Sequence, residues 1–295
     1  MIRIATRGSR LALAQAGQVA EMLGGGELVE VSSDGKVGDK ARFVRGVERA
    51  LLDGEAEIGV HSAKDVPAEL TDRLMLAAVP GREDPRDAWV GAGASLDDVP
   101  EGAKVGTASL RRRAQLLAAR PDLELSELHG NVDTRLRKLA EGELDAIVLA
   151  VAGLRRLGRA DEISFAIPTE TMTPAAGQGA LLLQIRAEDE AALQAVDPLV
   201  DEAALRELTA ERTVVSLLDA TCNSPLGVHA KVDASGAQMQ MDAFVGLPDG
   251  SEWLRDQVEG DPTEPTLLGA ELAKRLLDTG AREILDRAEK WSEHA

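Results

Sequence analysis

The sequence predicts an α/β protein: two layered α/β domains, the second inserted into the first, followed by a smaller α+β domain. Three observations carry this prediction. Apolar runs of strand length alternate with helical periods through the first two thirds of the chain. Two breaker-rich segments, Pro80–Pro85 and Thr173–Gly179, flank one α/β stretch. The last third alternates apolar and polar residues as hairpin strands do, between amphipathic helices. The expected domains are residues 1–80 with 180–198, residues 85–173, and residues 201–295. A chain that leaves one α/β domain, builds another and returns is expected to make a cleft and a hinge.

The elements follow in order. Ile2–Thr6 is a strand, and Arg10–Leu23 a Leu- and Ala-rich helix stopped by Gly24-Gly25-Gly26. Leu28–Val31 is a strand, Arg42–Leu52 a helix, and Glu57–Val60 and Leu74–Val79 strands. After the first breaker segment come strands Ala88–Val90 and Lys104–Gly106, helix Leu110–Ala119, and strand Leu123–Leu128. Helix Val132–Ala140, strand Asp145–Ala150 and helix Ala152–Leu157 complete this stretch. The apolar run Ala180–Ile185 then returns the chain. Glu202–Leu218 reads as a helix, and Val228–Val232, Gln238–Val245 and Trp253–Val258 as hairpin strands. Helices Pro265–Leu277 and Ala281–Glu289 close the chain, the first opened by a proline where helices tolerate it.

Composition narrows the function. The formal net charge is −18, a field that opposes nucleic acid and anionic membrane surfaces. Three Trp, three Phe and no Tyr leave little with which to stack on bases. A single cysteine, Cys222, excludes an internal disulfide and suits a reducing compartment. The N-terminal residues carry no apolar signal run and no stretch reaches membrane-spanning length, so a cytoplasmic location is expected, without membrane or nucleic-acid partners. Four scattered histidines and one cysteine offer no metal-ligand spacing, so no metal is expected.

Against that acidic background, cations and hydroxyls gather at strand ends. In open α/β sheets, ligands bind beyond the carboxyl ends of strands, where helix N-termini offer free N–H groups to anions. Arg7 and Ser9 follow the first strand; His61, Ser62, Lys64 and Asp65 follow the strand ending at Val60. Thr107, Ser109, Arg111 and Arg112 follow Gly106. His129, Asn131 and Arg135 follow Leu128, and Arg155 and Arg156 lie after Ala150. A serine before a helix is ordinarily an N-cap, and an arginine pair on a helix ordinarily a solvated face. Five strand ends equipped alike point instead to an anionic ligand, for which carboxylates suit the arginine fork.

Seven segments, in order, carry a resemblance. They are A-T-R-G-S-R-L-A-L at 5–13, H-S-A-K-D-V-P at 61–67, R-E-D-P-R-D-A at 82–88, G-T-A-S-L-R-R at 106–112, G-N-V-D-T-R-L at 130–136, D-A-I-V-L-A-V-A-G-L-R-R-L-G at 145–158 and P-A-A-G-Q-G-A at 174–180. The set resembles the hydroxymethylbilane synthase (porphobilinogen deaminase) family over nearly the whole chain. The resemblance implies two α/β domains of the periplasmic-binding-protein type with a cleft, and a C-terminal α+β domain. It also implies a dipyrromethane cofactor covalently attached through Cys222, in T-C-N-S-P-L-G.

The implied enzyme is a transferase of tetrapyrrole (haem) biosynthesis and a cytoplasmic monomer. It joins four molecules of porphobilinogen, with loss of ammonia, into linear hydroxymethylbilane. By resemblance, Asp65 is the catalytic carboxylate that faces pyrrole N–H groups and stabilises developing positive charge. Arg7, Ser9, Ser62, Lys64, Thr107, Ser109, Arg111, Arg112, His129, Arg135 and Arg156 are implied to hold substrate and cofactor carboxylates. Phe43 and Gln178 are implied as further site residues. Three departures stand out. His129 occupies a place usually held by Arg, so one carboxylate contact is expected to be weaker or pH-dependent. Ala220-Thr221 replaces a Gly-Gly pair, which is expected to stiffen the loop before Cys222. The segment from Val31 to Lys36 is shorter than its counterpart, a mobile lid in relatives. The rival reading is a non-catalytic, two-lobed binding protein for carboxylated small molecules, with Cys222 unmodified.

Overall fold

The computed structural model describes residues 1–32, 42–69, 71–221 and 223–294. In chain order the first elements are β1 (Arg3–Arg7), α1 (Arg10–Met22), β2 (Glu27–Val31), α2 (Arg42–Leu52), β3 (Ile58–Ser62) and β4 (Leu74–Ala78). Next come β5 (Asp87–Gly91), β6 (Lys104–Gly106), α3 (Leu110–Ala119), β7 (Glu124–Ser126), α4 (Val132–Ala140), β8 (Ala146–Ala150), α5 (Val151–Arg156) and β9 (Phe165–Ile167). The remainder are β10 (Leu181–Arg186), α6 (Glu190–Val196), α7 (Glu202–Leu217), β11 (Leu226–Val232), β12 (Met239–Gly246), β13 (Trp253–Gly260), α8 (Pro265–Asp278) and α9 (Ala281–His294). The chain divides into two units, Met1–Glu83 with Gly179–Arg206, and Asp84–Gln178 with Glu207–Ala295.

The first unit is built on one five-stranded sheet in the order β2-β1-β3-β10-β4. β1 runs parallel to β2 and β3, whereas β10 is antiparallel to β3 and β4. Leu181 to Ile185 are all buried, as an inner strand covered on both faces requires. Ile4, Ala16, Val19, Ile58, Val60, Leu183 and Val196 form one apolar cluster, and Ala5, Val47, Ala50 and Leu51 another. α2 comes close to β3 because residue 59 is glycine: a Cβ there would lie 2.6 Å from Val47 Cγ1.

The second unit carries a sheet in the order β7-β6-β8-β5-β9. β6 is parallel to β7 and β8, and β5 is antiparallel to β8 and β9. Trp89 of β5 is fully buried and stacks on Phe165 of β9, with ring centroids 5.7 Å apart. The same unit holds the antiparallel meander β11-β12-β13. Its core joins Val214, Val228, Met241, Val245, Leu272, Leu276 and Leu285. This is the α+β part expected of the last third.

The crossover at Thr173–Gln178 is fastened within the second unit. Val228 N–H donates to Pro174 O at 2.8 Å. The fully buried Glu211 accepts from Gly177 N–H at 2.6 Å and from Ala230 N–H at 2.7 Å. One carboxylate thereby satisfies two backbone donors, one in the crossover and one in β11.

Several boundaries differ from the sequence reading. β3 continues through Ser62, so His61 and Ser62 end the strand rather than follow it. β9 and α6 were not expected at all. β9 has three residues and pairs only as an edge, too short for a period-2 signal. α6 has seven residues and begins from Asp189, whose carboxylate accepts from Ala192 N–H at 3.0 Å. Among the described residues, no helix is long and apolar enough to cross a membrane.

Candidate active site

In the first unit, the carboxyl ends of two neighbouring parallel strands bring Arg7 and Asp65 together. Arg7 ends β1, and Asp65 sits in the 3-10 turn Ala63–Asp65 that leaves β3. Arg7 Nη2 lies 3.8 Å from Asp65 Oδ2, both side chains partly exposed. The turn is anchored by Ala63 N–H, which donates to Ala180 O at 3.0 Å. Ser9 caps α1, its Oγ accepting from Ala12 N–H at 3.3 Å. That cap uses an acceptor lone pair and leaves the hydroxyl proton free to be donated to an anion. A small pocket here is lined by Arg7, Gln15, His61, Ser62 and Asp65, with Ala12, Val44 and Val60. Lys64 lies partly buried in the same turn.

Gln15 adds to what was expected, and His61, expected just past the strand, lines the pocket from within it. Gln15 is buried on the face of α1 that also buries Ala12, Ala16 and Val19. A polar residue on an otherwise apolar helical stripe was the available signal. His61 is buried, and burial pushes its imidazole down to about 4, well below its ordinary value. It is therefore a neutral ring near pH 7.

In the second unit the receptors gather at the carboxyl end of β6 and the N-terminus of α3. Thr107 Oγ1 accepts from Ser109 N–H at 3.1 Å, and Ser109 Oγ caps α3 by accepting from Arg112 N–H at 3.4 Å. Arg111 and Arg112 are both buried, turned onto Asp87. Arg111 Nη1 donates to Asp87 Oδ2 at 2.7 Å and to Thr173 O at 2.8 Å. Arg112 Nε donates to Asp87 Oδ1 at 2.9 Å, and its Nη1 to Val148 O at 2.8 Å. Gln178 Nε2 donates to the same Asp87 oxygen at 3.0 Å. Burial alone would raise Asp87, but the charges of Arg111 and Arg112 and their hydrogen bonds hold it well below the usual carboxylate range. Asp87 was not singled out from the sequence. Its place in R-E-D-P-R-D-A, at the first residue of a buried strand, is the clue it offered.

Arg135 on α4 donates from Nε to Gly130 O at 2.9 Å. Burial, with the charge of Arg112 second, pushes it down to about 10. Two arginines thus repel each other across a partly desolvated space. His129 is exposed, with Nε2 2.9 Å from Glu127 Oε2. Arg156 is partly buried in the last turn of α5, where its neighbour Arg155 lies 3.4 Å from Asp84 Oδ2. The Phe43 side chain, Cys222 and most of the shortened segment from Val31 to Lys36 lie outside the described residues.

Each α/β unit thus presents cations and hydroxyls at the carboxyl edge of its parallel strands, the layout of an α/β enzyme that receives carboxylated ligands. The family model described as "Porphobilinogen deaminase, dipyromethane cofactor binding domain" matches residues 2–194, and "Porphobilinogen deaminase, C-terminal domain" matches residues 205–278. The chain is 42% identical over 304 residues to the porphobilinogen deaminase of Syntrophus aciditrophicus (strain SB), covering 98% of this chain and 99% of that one. It is 43% identical over 309 residues to the porphobilinogen deaminase of Campylobacter concisus (strain 13826), covering 99% of each. This chain belongs to the porphobilinogen deaminase family. Among solved structures it also resembles a TRAP periplasmic solute binding protein from Desulfovibrio salexigens, at 11% identity and a TM-score of 0.41 over 69% of this chain and 73% of that one. A likeness of that size carries no argument about activity.

Proposed function

We propose that this chain condenses four molecules of porphobilinogen, with loss of ammonia, into linear hydroxymethylbilane on a dipyrromethane primer attached through Cys222. It is a transferase of tetrapyrrole (haem) biosynthesis. The observation that carries the reading is the meeting of Arg7 and Asp65, 3.8 Å apart, at the ends of adjacent parallel strands in a chain of this family.

Porphobilinogen is a pyrrole with an aminomethyl arm, an acetate and a propionate. In the first unit, Arg7 and Lys64 receive substrate carboxylates, and Ser9 and Ser62 add hydroxyl donors. Asp65 faces the pyrrole N–H. Departure of ammonia leaves positive charge on the ring, and a fixed carboxylate beside it lowers the barrier because the charge appears only as the bond breaks. Asp65 also takes part in moving the proton that leaves when rings join. When bound, the dipyrromethane primer supplies the carbon nucleophile to which the first substrate is joined.

The second unit fits such a group. Arg111, Arg112 and Arg135 outnumber Asp87, and Arg135 is pushed down by burial and by Arg112. A multiply carboxylated ligand relieves that repulsion. Arg111, Arg112, Arg135, Arg156, Thr107, Ser109 and His129 are the residues that would hold its carboxylates, with Gln178 beside them on Asp87; Phe43 is a further proposed site residue. Arg111 and Arg112 would hold carboxylates from the orientation Asp87 gives them.

The reading includes the three-part division into residues 1–80 with 180–198, 85–173 and 201–295. It also includes a monomer that works in the cytoplasm without nucleic-acid or membrane partners, a reading supported by the net charge of −18 and the single cysteine. The test is incubation with porphobilinogen. One ammonia released per substrate consumed, with a linear tetrapyrrole as product, is the expected result. Saturable binding without ammonia release would instead establish the non-catalytic carboxylate binder.

A further inference from the structure

Behind the pocket that holds Arg7 and Asp65, four side chains form one chain of hydrogen bonds. Thr71 Oγ1 donates to Glu48 Oε2 at 2.7 Å. Gln184 Nε2 donates to Glu48 Oε1 at 3.0 Å. His61 Nε2 meets Gln184 Oε1 at 2.9 Å. Glu48 comes from α2, Gln184 from β10 and His61 from β3, and all three are buried. Burying a carboxylate, an amide and an imidazole together costs free energy that apolar side chains would not incur. The network is therefore more than packing.

The backbone is arranged to let these groups meet. In the antiparallel register of β3 and β10, His61 pairs with Leu182 and Gly59 with Gln184. His61 and Gly59 share a face of β3, so His61 and Gln184 are diagonal neighbours over residue 59. A Cβ at residue 59 would just touch His61 Nε2, at 3.4 Å, and would meet Val47 of α2 at 2.6 Å, so Gly59 lets α2, which carries Glu48, lie close to this face.

The order of groups fixes the protons. As a carboxylate, Glu48 only accepts. The amide of Gln184 must then turn its Nε2 toward Glu48 and its Oε1 toward His61. An amide oxygen also only accepts, so His61 Nε2 must carry a hydrogen. Burial keeps the ring from taking a second proton, and the charge of Arg7 acts the same way; the bond from Gln184 and the charges of Glu48 and Asp65 oppose this and do not overcome it. The neutral ring with hydrogen on Nε2 has a bare lone pair on Nδ1. That ring lines the pocket of Arg7, Gln15, Ser62 and Asp65.

We propose that Glu48 and Gln184 are positioning residues of this site, acting through His61: they fix its Nε2–H form and so keep an acceptor, not a second donor or cation, beside Asp65 and Arg7. The inference rests on the reading in which Asp65 faces the pyrrole N–H. A donor at Nδ1 would compete with the substrate for the lone pairs of Asp65. An acceptor there leaves them to the substrate.

The experiment is ¹⁵N spectroscopy of the histidine rings in the full-length protein, with the His61 signals assigned by their loss in His61→Asn. The wild type is expected to show one neutral His61 form, protonated on Nε2. Glu48→Gln removes the obligatory acceptor at nearly unchanged volume, so both neutral forms are expected, with kcat about tenfold lower and KM within about twofold. The exchange Glu48→Gln with Gln184→Glu again places an obligatory acceptor against His61 Nε2, and is expected to restore both the Nε2–H form and kcat. Should Glu48→Gln not fold, Gln184→Met serves in its place, with the same two readouts. A wild-type ring protonated on Nδ1, an unchanged tautomer in the variant, or a changed tautomer with unchanged kcat would each overturn the proposal. A wild type that releases no ammonia from porphobilinogen would instead be a failure of the functional reading.

Discussion

Asp87 grips Arg111 through two parallel hydrogen bonds, Oδ2 to Nη1 at 2.7 Å and Oδ1 to Nη2 at 3.2 Å, in a place where the carboxylate is fully buried. Arg112 shares the same carboxylate at 2.8 Å. Removing one member of a buried ionic cluster leaves the others uncompensated in a low-dielectric site. Asp87→Asn is therefore expected to destabilise the protein by about 3–5 kcal/mol, measured by urea unfolding. A loss within about 0.5 kcal/mol, as for an ordinary surface change, would show that the arginines do not depend on Asp87.

Asp65→Asn keeps the size of the side chain and removes its charge. Because that charge is needed only as ammonia departs, turnover is expected to fall by about 100-fold or more while substrate binding is largely kept. Steady-state ammonia release and equilibrium binding of porphobilinogen check the two halves separately. Near-normal turnover would remove Asp65 from its role.

His61 gives stability a definite pH dependence. Its folded value is about 4 against an ordinary 6.5, so between those values the unfolded chain binds a proton that the folded chain refuses. Protonation then favours unfolding. Stability is expected to fall as pH drops from about 6.5 toward 4, by at most about 1.4 kcal/mol per pH unit from this group. Asp87 acts lower: its folded value is depressed, so its contribution is full above about pH 4 and is lost below that. Urea unfolding across pH 4–7, compared with His61→Asn, should show a flatter profile in the variant. Two superimposable profiles would contradict a buried neutral His61.

Glu211→Gln tests the fastening of the crossover. The carboxylate accepts from Gly177 N–H and Ala230 N–H, and an amide has only one accepting oxygen. One backbone donor must then face an NH₂ group. The expected cost is about 1–3 kcal/mol by chemical denaturation. No change would mean that another group takes over one of the two N–H donors.

The sequence made the layered α/β plan legible because long strands such as β10 and helices such as α3 carry clear periods and caps. Helices α2, α3 and α4 and strand β6 begin and end where the pattern placed them. β9 and α6, of three and seven residues, establish no period of their own; β6 is as short as β9, but Gly102 and Gly106 mark its ends. The cations at strand ends were visible because they stand against an acidic background. What each cation touches was not visible. Asp87 reads as one acid among many, yet it organises Arg111 and Arg112. His61 was seen at a strand end, but the Gln184 and Glu48 behind it come from distant parts of the chain, and pairings of that separation leave no local pattern. His129 was likewise seen at a strand end, and the Glu127 that its ring meets lies two residues before it.

A primer that never leaves the protein adds to its mass throughout synthesis. Intact-protein mass spectrometry tests this directly. Active protein is expected to weigh more than its sequence by one dipyrromethane, and Cys222→Ala to lose both the excess and the activity. Active protein at the bare sequence mass would contradict the account.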